Sequence, residues 1–238
     1  MHTVLVINPN TTVQVTDTLL RHLGGSTPQR QLQGATAAFG APYIADEASY
    51  CIAGHAVLEA WAQRPPPPGG AYSAVLVGCF GDPGVDALRE VAQRPVLGLA
   101  EVSLQALQHQ GRRRIAVVTG GAAWQPMLER WCRATGYAPG GGRSVEVCAI
   151  ATLPQSGIAL MQSPEQAVPS LVQACTAAAR NSGADAVLIG GAGLAGLGAL
   201  VRPQVDFPVI DSVEAARWWL DTLAAPGTSL PGAGCTGP

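Results

Sequence analysis

The chain has 238 residues, 47% of them apolar and 13% charged, with a net charge of −2 and a mean hydropathy of +0.21. That is enough apolar chain for one large domain or two small lobes with a sizeable core, and it excludes disorder away from the ends. No broad Lys/Arg patch is present, which excludes a nucleic-acid surface; the arginines of "GRRR" at 111–114 read as a solvated corner before a strand.

The chain opens on a β-type run, "TVLVIN" at 3–8, with no basic segment or cleavage site before it, so a cytoplasmic protein is expected. A helix over 12–23 and a strand over 31–38 follow, then a helix over 45–63. "RPPPPGG" at 64–70 cannot be helix or central strand and reads as a surface loop. Next come a strand at 73–78, a helix at 84–92, a strand at 95–98 and a helix at 100–110. The second half repeats the alternation: strand 114–119, helix 122–135, strand 144–149, helix 164–181, strand 185–190, helix 194–201, strand 207–210 and helix 212–224. "APGTSLPGAGCTGP" at 225–238 reads as a flexible tail. Short apolar strands separated by helices imply an α/β fold with parallel sheets buried on both faces. The longest apolar run, 186–201, is shorter than the ~20 residues a bilayer requires and is rich in glycine, so no membrane span is expected.

An internal repeat organises this alternation. "AVLVG" at 74–78 matches "AVLIG" at 186–190, and "VLVINPN" at 4–10 matches "IAVVTGG" at 115–121. Downstream, "RPVLGLAEVSLQAL" parallels "FPVIDSVEAARWWL". The common period implies two pseudo-symmetric lobes, one from 1–97 with 211–225 and the other from 98–210, leaving 226–238 as tail. Ligands of parallel sheets bind at the carboxyl ends of strands. Two facing lobes would place "NPNT", "GCFGDPG", "TGGA" and "GGAGLAG" around one central cleft.

These loops are poor in charge and rich in donors. Asn10, Thr11, Thr119 and backbone at Phe80, Gly81, Gly120, Gly191 and Ala192 are the candidate substrate-binding groups, suited to a carboxylate or an enolate-like oxyanion. Cys79 is the candidate catalytic residue. It stands at a strand end before a helix, a setting that can lower a thiol pKa; the alternative is a buried structural cysteine. Asp82 is expected to cap the helix that follows it. Cys51, Cys132, Cys148 and Cys175 are expected in the core, and Cys235 falls in the tail. With no CxxC pattern and four scattered histidines, neither a metal nor a disulfide framework is expected. Gly191, Gly193 and Gly196 spell a dinucleotide fingerprint with Asp211 beyond it, but the following helix ends early at Pro203 and too little chain remains for a Rossmann sheet.

At these residues the sequence resembles the Asp/Glu/hydantoin racemase superfamily, most of all its hydantoin and allantoin racemase branch. "VLVINPNTT", "IAGHAVLEA" at 52–60, "GCFGDPGVDALRE" at 78–90, "PVLGLAE" at 95–101, "VVTG" at 117–120 and "FPVIDSVEAA" at 207–216 carry the resemblance, in order. It implies two α/β lobes facing a cleft and racemisation without metal, pyridoxal or other cofactor. It also implies a small-molecule substrate (a hydantoin, an amino acid or a malonate-like carboxylate) and a homo-oligomer. In the family, one cysteine per lobe flanks the acidic carbon. Cys79 matches the first; the second position is Gly191, the residue the internal repeat also pairs with Cys79. Losing one positioned acid/base costs about 10²–10⁴ in rate, or roughly 3–5 kcal/mol of barrier. A one-cysteine cleft also resembles the arylmalonate decarboxylases, with the lobes exchanged. A binding protein that has lost half its site is the remaining alternative.

Overall fold

A computed structural model describes residues 2–67 and 70–223. The expected tail, with Cys235, lies outside the described residues. Strands β1 (His2–Asn8), β2 (Arg30–Thr36), β3 (Ala74–Val77) and β4 (Val96–Gly98) form a parallel sheet in the order β2-β1-β3-β4. Strands β5 (Arg114–Gly120), β6 (Glu146–Leu153), β7 (Ala186–Ile189) and β8 (Val209–Asp211) form a second in the order β6-β5-β7-β8. Continuous apolar runs account for the central strands: Val4–Ile7, Ala74–Val77, Ile115–Val118 and Ala186–Ile189 are all buried on both faces. Register repeats as well. Val4 lies beside Ala74, and Ile115 lies beside Ala186. The sequence period is therefore a structural one, and the α/β architecture of two parallel sheets is as expected.

Helices α1 (Val13–His22), α2 (Glu47–Ala62) and α3 (Val85–Ala92) serve the first sheet, and α5 (Trp124–Thr135), α7 (Pro164–Ser182) and α8 (Leu197–Val201) the second. The helices following β4 and β8, α4 (Leu99–His109) and α9 (Ser212–Leu223), pack on each other between the sheets. Small residues at the contact (Ala100, Ser103, Ala215, Ala216) admit close approach, and Ser103 Oγ stands 3.4 Å from the Ser212 carbonyl. Helix α9 also returns to the first sheet, where buried Arg30 donates to Asp221 at 2.7 Å. A short helix with no sequence-based expectation, α6 (Gly157–Gln162), lies ahead of α7, with the Ser156 hydroxyl accepting from Ala159 N at 3.3 Å.

Both inter-lobe helices start on a buried carboxylate. Asp82 does not cap α3, whose N-cap is Gly84. Its two oxygens instead accept from Ala100 N at 2.8 Å and Glu101 N at 2.9 Å, in the first turn of α4. At the end of β8 in the second sheet, one residue past the expected lobe boundary, Asp211 accepts from Val213 N at 3.1 Å, Glu214 N at 2.9 Å and Gly196 N at 3.2 Å. Partially positive helix ends attract a carboxylate in both lobes. In one lobe it comes from the loop after the third strand, in the other from the end of the fourth. Gly98 occupies the strand-end place in the first lobe, and a Cβ there would lie 2.1 Å from Asp82 Oδ1. The two ways of supplying the charge exclude each other sterically.

Asp82 sits at φ +59°, which glycine tolerates. Asp82→Gly should therefore cost about 1–3 kcal/mol through the unpaired helix amides alone. Adding Gly98→Asp, which copies the other lobe, should recover at least half of that loss in urea denaturation. Gly98→Asp by itself should be the least stable of the three. Simple additivity of the two changes would show that the carboxylates do not share one place.

Candidate active site

The carboxyl ends of β1, β3, β5 and β7 converge on one narrow pocket of about 40 Å³. Each of the four loops contributes: Asn10, the stretch 78–80, Thr119 and the stretch 190–194. Asn10 is 6% exposed and its Oδ1 accepts from Asn8 Nδ2 and Thr12 N, both at 3.0 Å. Its orientation is thereby set, and Nδ2 is the end left to donate to a ligand. The backbone N–H groups of Cys79 and Phe80 have no acceptor among the described residues. Phe80 crosses to the other lobe. Its ring covers Gly190 so closely that a Cβ there would lie 2.5 Å from it.

Cys79 is 8% exposed, with Sγ 3.9 Å from the carbonyl of Phe80. Burial, and then the Asp82 carboxylate, push its pKa well above the ordinary thiol range. This reverses the sequence expectation. The physical reason is burial first, with α3 beginning only at Val85, six residues on, and Asp82, when ionised, adding to the rise. The resting group is a thiol, not a thiolate. Burial likewise raises Asp82, to about 8, against the pull of the Ala100 and Glu101 amides.

Aromatic groups brace the pocket. Tyr43, from the loop after β2, accepts from Gly157 N of α6 at 2.9 Å and so joins the two lobes over the pocket. Tyr50 donates to the Gly81 carbonyl at 2.6 Å and meets Trp124 edge-on at 6.3 Å. The wall is completed by Val15, Ile44, Trp124, Ile158, Met161 and Leu194. No side chain that lines the pocket carries a formal charge.

Gly191 lines the same pocket as the thiol, at φ +134° and ψ +135°. A Cβ there would have room, with Leu194 and the Thr119 hydroxyl no nearer than 3.7 Å. The backbone conformation, however, is one that L side chains rarely adopt, and it is absent at Cys79. Gly191 N donates to Ser212 Oγ at 3.2 Å and anchors this form of the loop. The lobes thus differ in backbone as well as in one side chain.

The structure brings Asn10, Cys79, Phe80, Thr119, Gly191 and Ala192 together in the lining. Thr11, Gly81 and Gly120 stand outside it. Thr11 N is bonded to Ala41 O at 3.1 Å, the Gly81 carbonyl holds Tyr50, and Gly120 faces Gln155, Gly157 and Leu160 behind the wall. Tyr43, Ile44, Gly157, Ile158 and Met161 were not foreseen; Ser156 ahead of an apolar run was the available signal. Two cysteine expectations also change: Cys51 is exposed and Cys148 only half-buried, because they fall on the outer face of α2 and on β6. Asp211 spends its oxygens on three amides, which argues against a ribose-binding role in a dinucleotide site. No cluster of three or more metal-binding side chains, and no helix long and apolar enough to cross a membrane, occurs among the described residues.

Residues 4–219 match the family model described as Asp/Glu/Hydantoin racemase. The hydantoin racemase of Paenarthrobacter aurescens is 30% identical over 167 residues, which is 70% of this chain and 66% of that protein. The hydantoin racemase of a Pseudomonas species is 32% identical, and the match spans 57% of its length, so this chain aligns with less than two thirds of either enzyme. The allantoin racemase of Pseudomonas fluorescens superposes with a TM-score of 0.81 at 25% identity, covering 93% of this chain and 90% of that one. Arylmalonate decarboxylase shares the fold, with a TM-score of 0.63 at 18% identity, covering 95% of this chain and 94% of that one. The chain belongs to the Asp/Glu/hydantoin racemase family.

Because the Cys79 thiol is buried and protonated, iodoacetamide at neutral pH should modify exposed Cys51 at least about tenfold faster, as read by peptide mass spectrometry. Its reaction with Cys79 should accelerate with rising pH. Equal rates at the two sites would reveal an accessible thiolate.

Proposed function

We propose that this member of the Asp/Glu/hydantoin racemase family moves a proton on and off the acidic carbon of a small hydantoin-like ring, with Cys79 as the single cysteine acid/base. The observation that supports this best is that a thiol and its repeat-related glycine line one pocket with no charged side chain. A zwitterionic amino acid would bring two charges there without a counter-charge, at a desolvation cost of several kcal/mol per ion. A neutral ring with an apolar substituent avoids that cost and suits Val15, Ile44, Trp124 and Met161. In this reading the ring carbonyl accepts hydrogen bonds from Asn10 Nδ2 and the amides at 79–80. These donors stabilise the enolate that forms when the Cys79 thiolate takes the carbon's proton.

A second reading, decarboxylation of a malonate-type acid, is favoured by the protonated thiol, although its carboxylates would meet the same desolvation cost. Loss of CO₂ would leave an enediolate, and the Cys79 S–H would protonate it on one face. The pH dependence separates the two. Deprotonation needs thiolate, so racemisation kcat/KM should climb roughly tenfold per pH unit from about 7 to 9, because the thiol pKa lies above that range. Protonation uses the thiol, so decarboxylation should stay flat over the same range.

Cys79→Ser should lower α-hydrogen exchange into D₂O by about 10²–10⁴ with the fold intact. Full exchange in that variant would remove Cys79 from the chemistry. Gly191→Cys should add the second thiol at about 1–3 kcal/mol of stability, since position 191 must leave φ +134°. Its melting temperature should fall while racemisation rises.

A further inference from the structure

Thr119 is 5% exposed, lines the pocket, and its hydroxyl has no hydrogen-bond partner among the described residues. A hydroxyl that opens on a pocket and meets no protein partner is free to bond a ligand or a water there. Its counterpart in the other lobe, Asn8, is fully buried and spends its amide on Asn10, the Thr12 carbonyl and Thr16. The equivalent position is thus structural in one lobe and unengaged in the other. Thr119 Oγ also lies 3.7 Å from the place of a Cβ at 191, so it borders the volume that a second acid/base side chain would enter. The amides of Ala192 and Gly193, on the same wall, donate to no acceptor among the described residues.

From this geometry, and resting on the racemase reading above, we infer that Thr119 is a positioning residue that holds a proton-delivering water on the substrate face opposite Cys79. A bound water needs two to four polar partners, which the Thr119 hydroxyl and the Ala192 and Gly193 amides supply. The Cys79 thiolate takes the C–H proton, and the electron pair moves onto the ring carbonyl. As the pair returns, the water's O–H breaks and its proton bonds to carbon on the other face. The hydroxide left behind is neutralised, through solvent, by the proton now on Cys79.

The test follows one enantiomer of a benzyl-substituted hydantoin in D₂O, reading inversion by circular dichroism and α-hydrogen exchange by NMR. Thr119→Val should slow inversion at least about tenfold while exchange with retention, from the Cys79 face, continues. Thr119→Ser should restore the wild-type ratio of inversion to exchange, and melting curves of both variants should show an intact fold. A purely structural or binding role would lower both rates together and leave their ratio unchanged; that result overturns the inference. Inversion in Thr119→Val at the wild-type rate overturns it too, while leaving the role of Cys79 standing. Absence of exchange in the wild-type protein would instead overturn the racemase reading and this inference with it.

Discussion

The hydrogen bonds from the first amides of α4 to the Asp82 carboxylate hold the site together. They span eighteen residues of sequence and fix the turn that carries Cys79, since Asp82 N also bonds back to the Cys79 carbonyl at 3.2 Å. Burial opposes ionisation of the sulfur, and the same carboxylate, when ionised, adds to that effect. Rigid placement of the thiol and its resting protonated state therefore share a contribution from one residue. A helix N-terminus that might have activated the sulfur is already occupied by a neighbouring residue of its own turn.

From this follows an asymmetric division of labour between two lobes of matching topology. The first lobe offers a thiol, a fixed amide donor on Asn10, and an aromatic ring, Phe80, that reaches the other lobe. The second offers glycine backbone at 190–191 and one unengaged hydroxyl, Thr119. Because Gly191 holds a conformation reserved for glycine and is tethered to Ser212 on α9, the asymmetry is built into the inter-lobe contact. Lobes of matching topology need not carry matching chemistry where one loop takes a different backbone path.

Much of the scaffold was legible in the chain. Central parallel strands are apolar on both faces, so "AVLV" and "AVLI" announce themselves without alternation. Their common period aligned Cys79 with Gly191 and brought Asn10, Thr119 and Ala192 to one place. Thr11, Gly81 and Gly120 stand beside true lining residues but point their contacts elsewhere, because neighbouring positions in a turn face different sides. Tyr43 and α6 escaped notice because a hydrogen bond between a loop and a helix start 114 residues apart leaves no local pattern.

Sequence by itself determined the two parallel sheets, the repeat, and which thiol the repeat pairs with a glycine, since these rest on local apolar runs and on spacing. Only the tertiary structure decided that the thiol is protonated, that the pocket lining is free of charge, and that Gly191 occupies a backbone conformation that L side chains rarely adopt. Burial, field and backbone dihedrals arise from atoms brought together across the whole chain, and no stretch of residues encodes them locally.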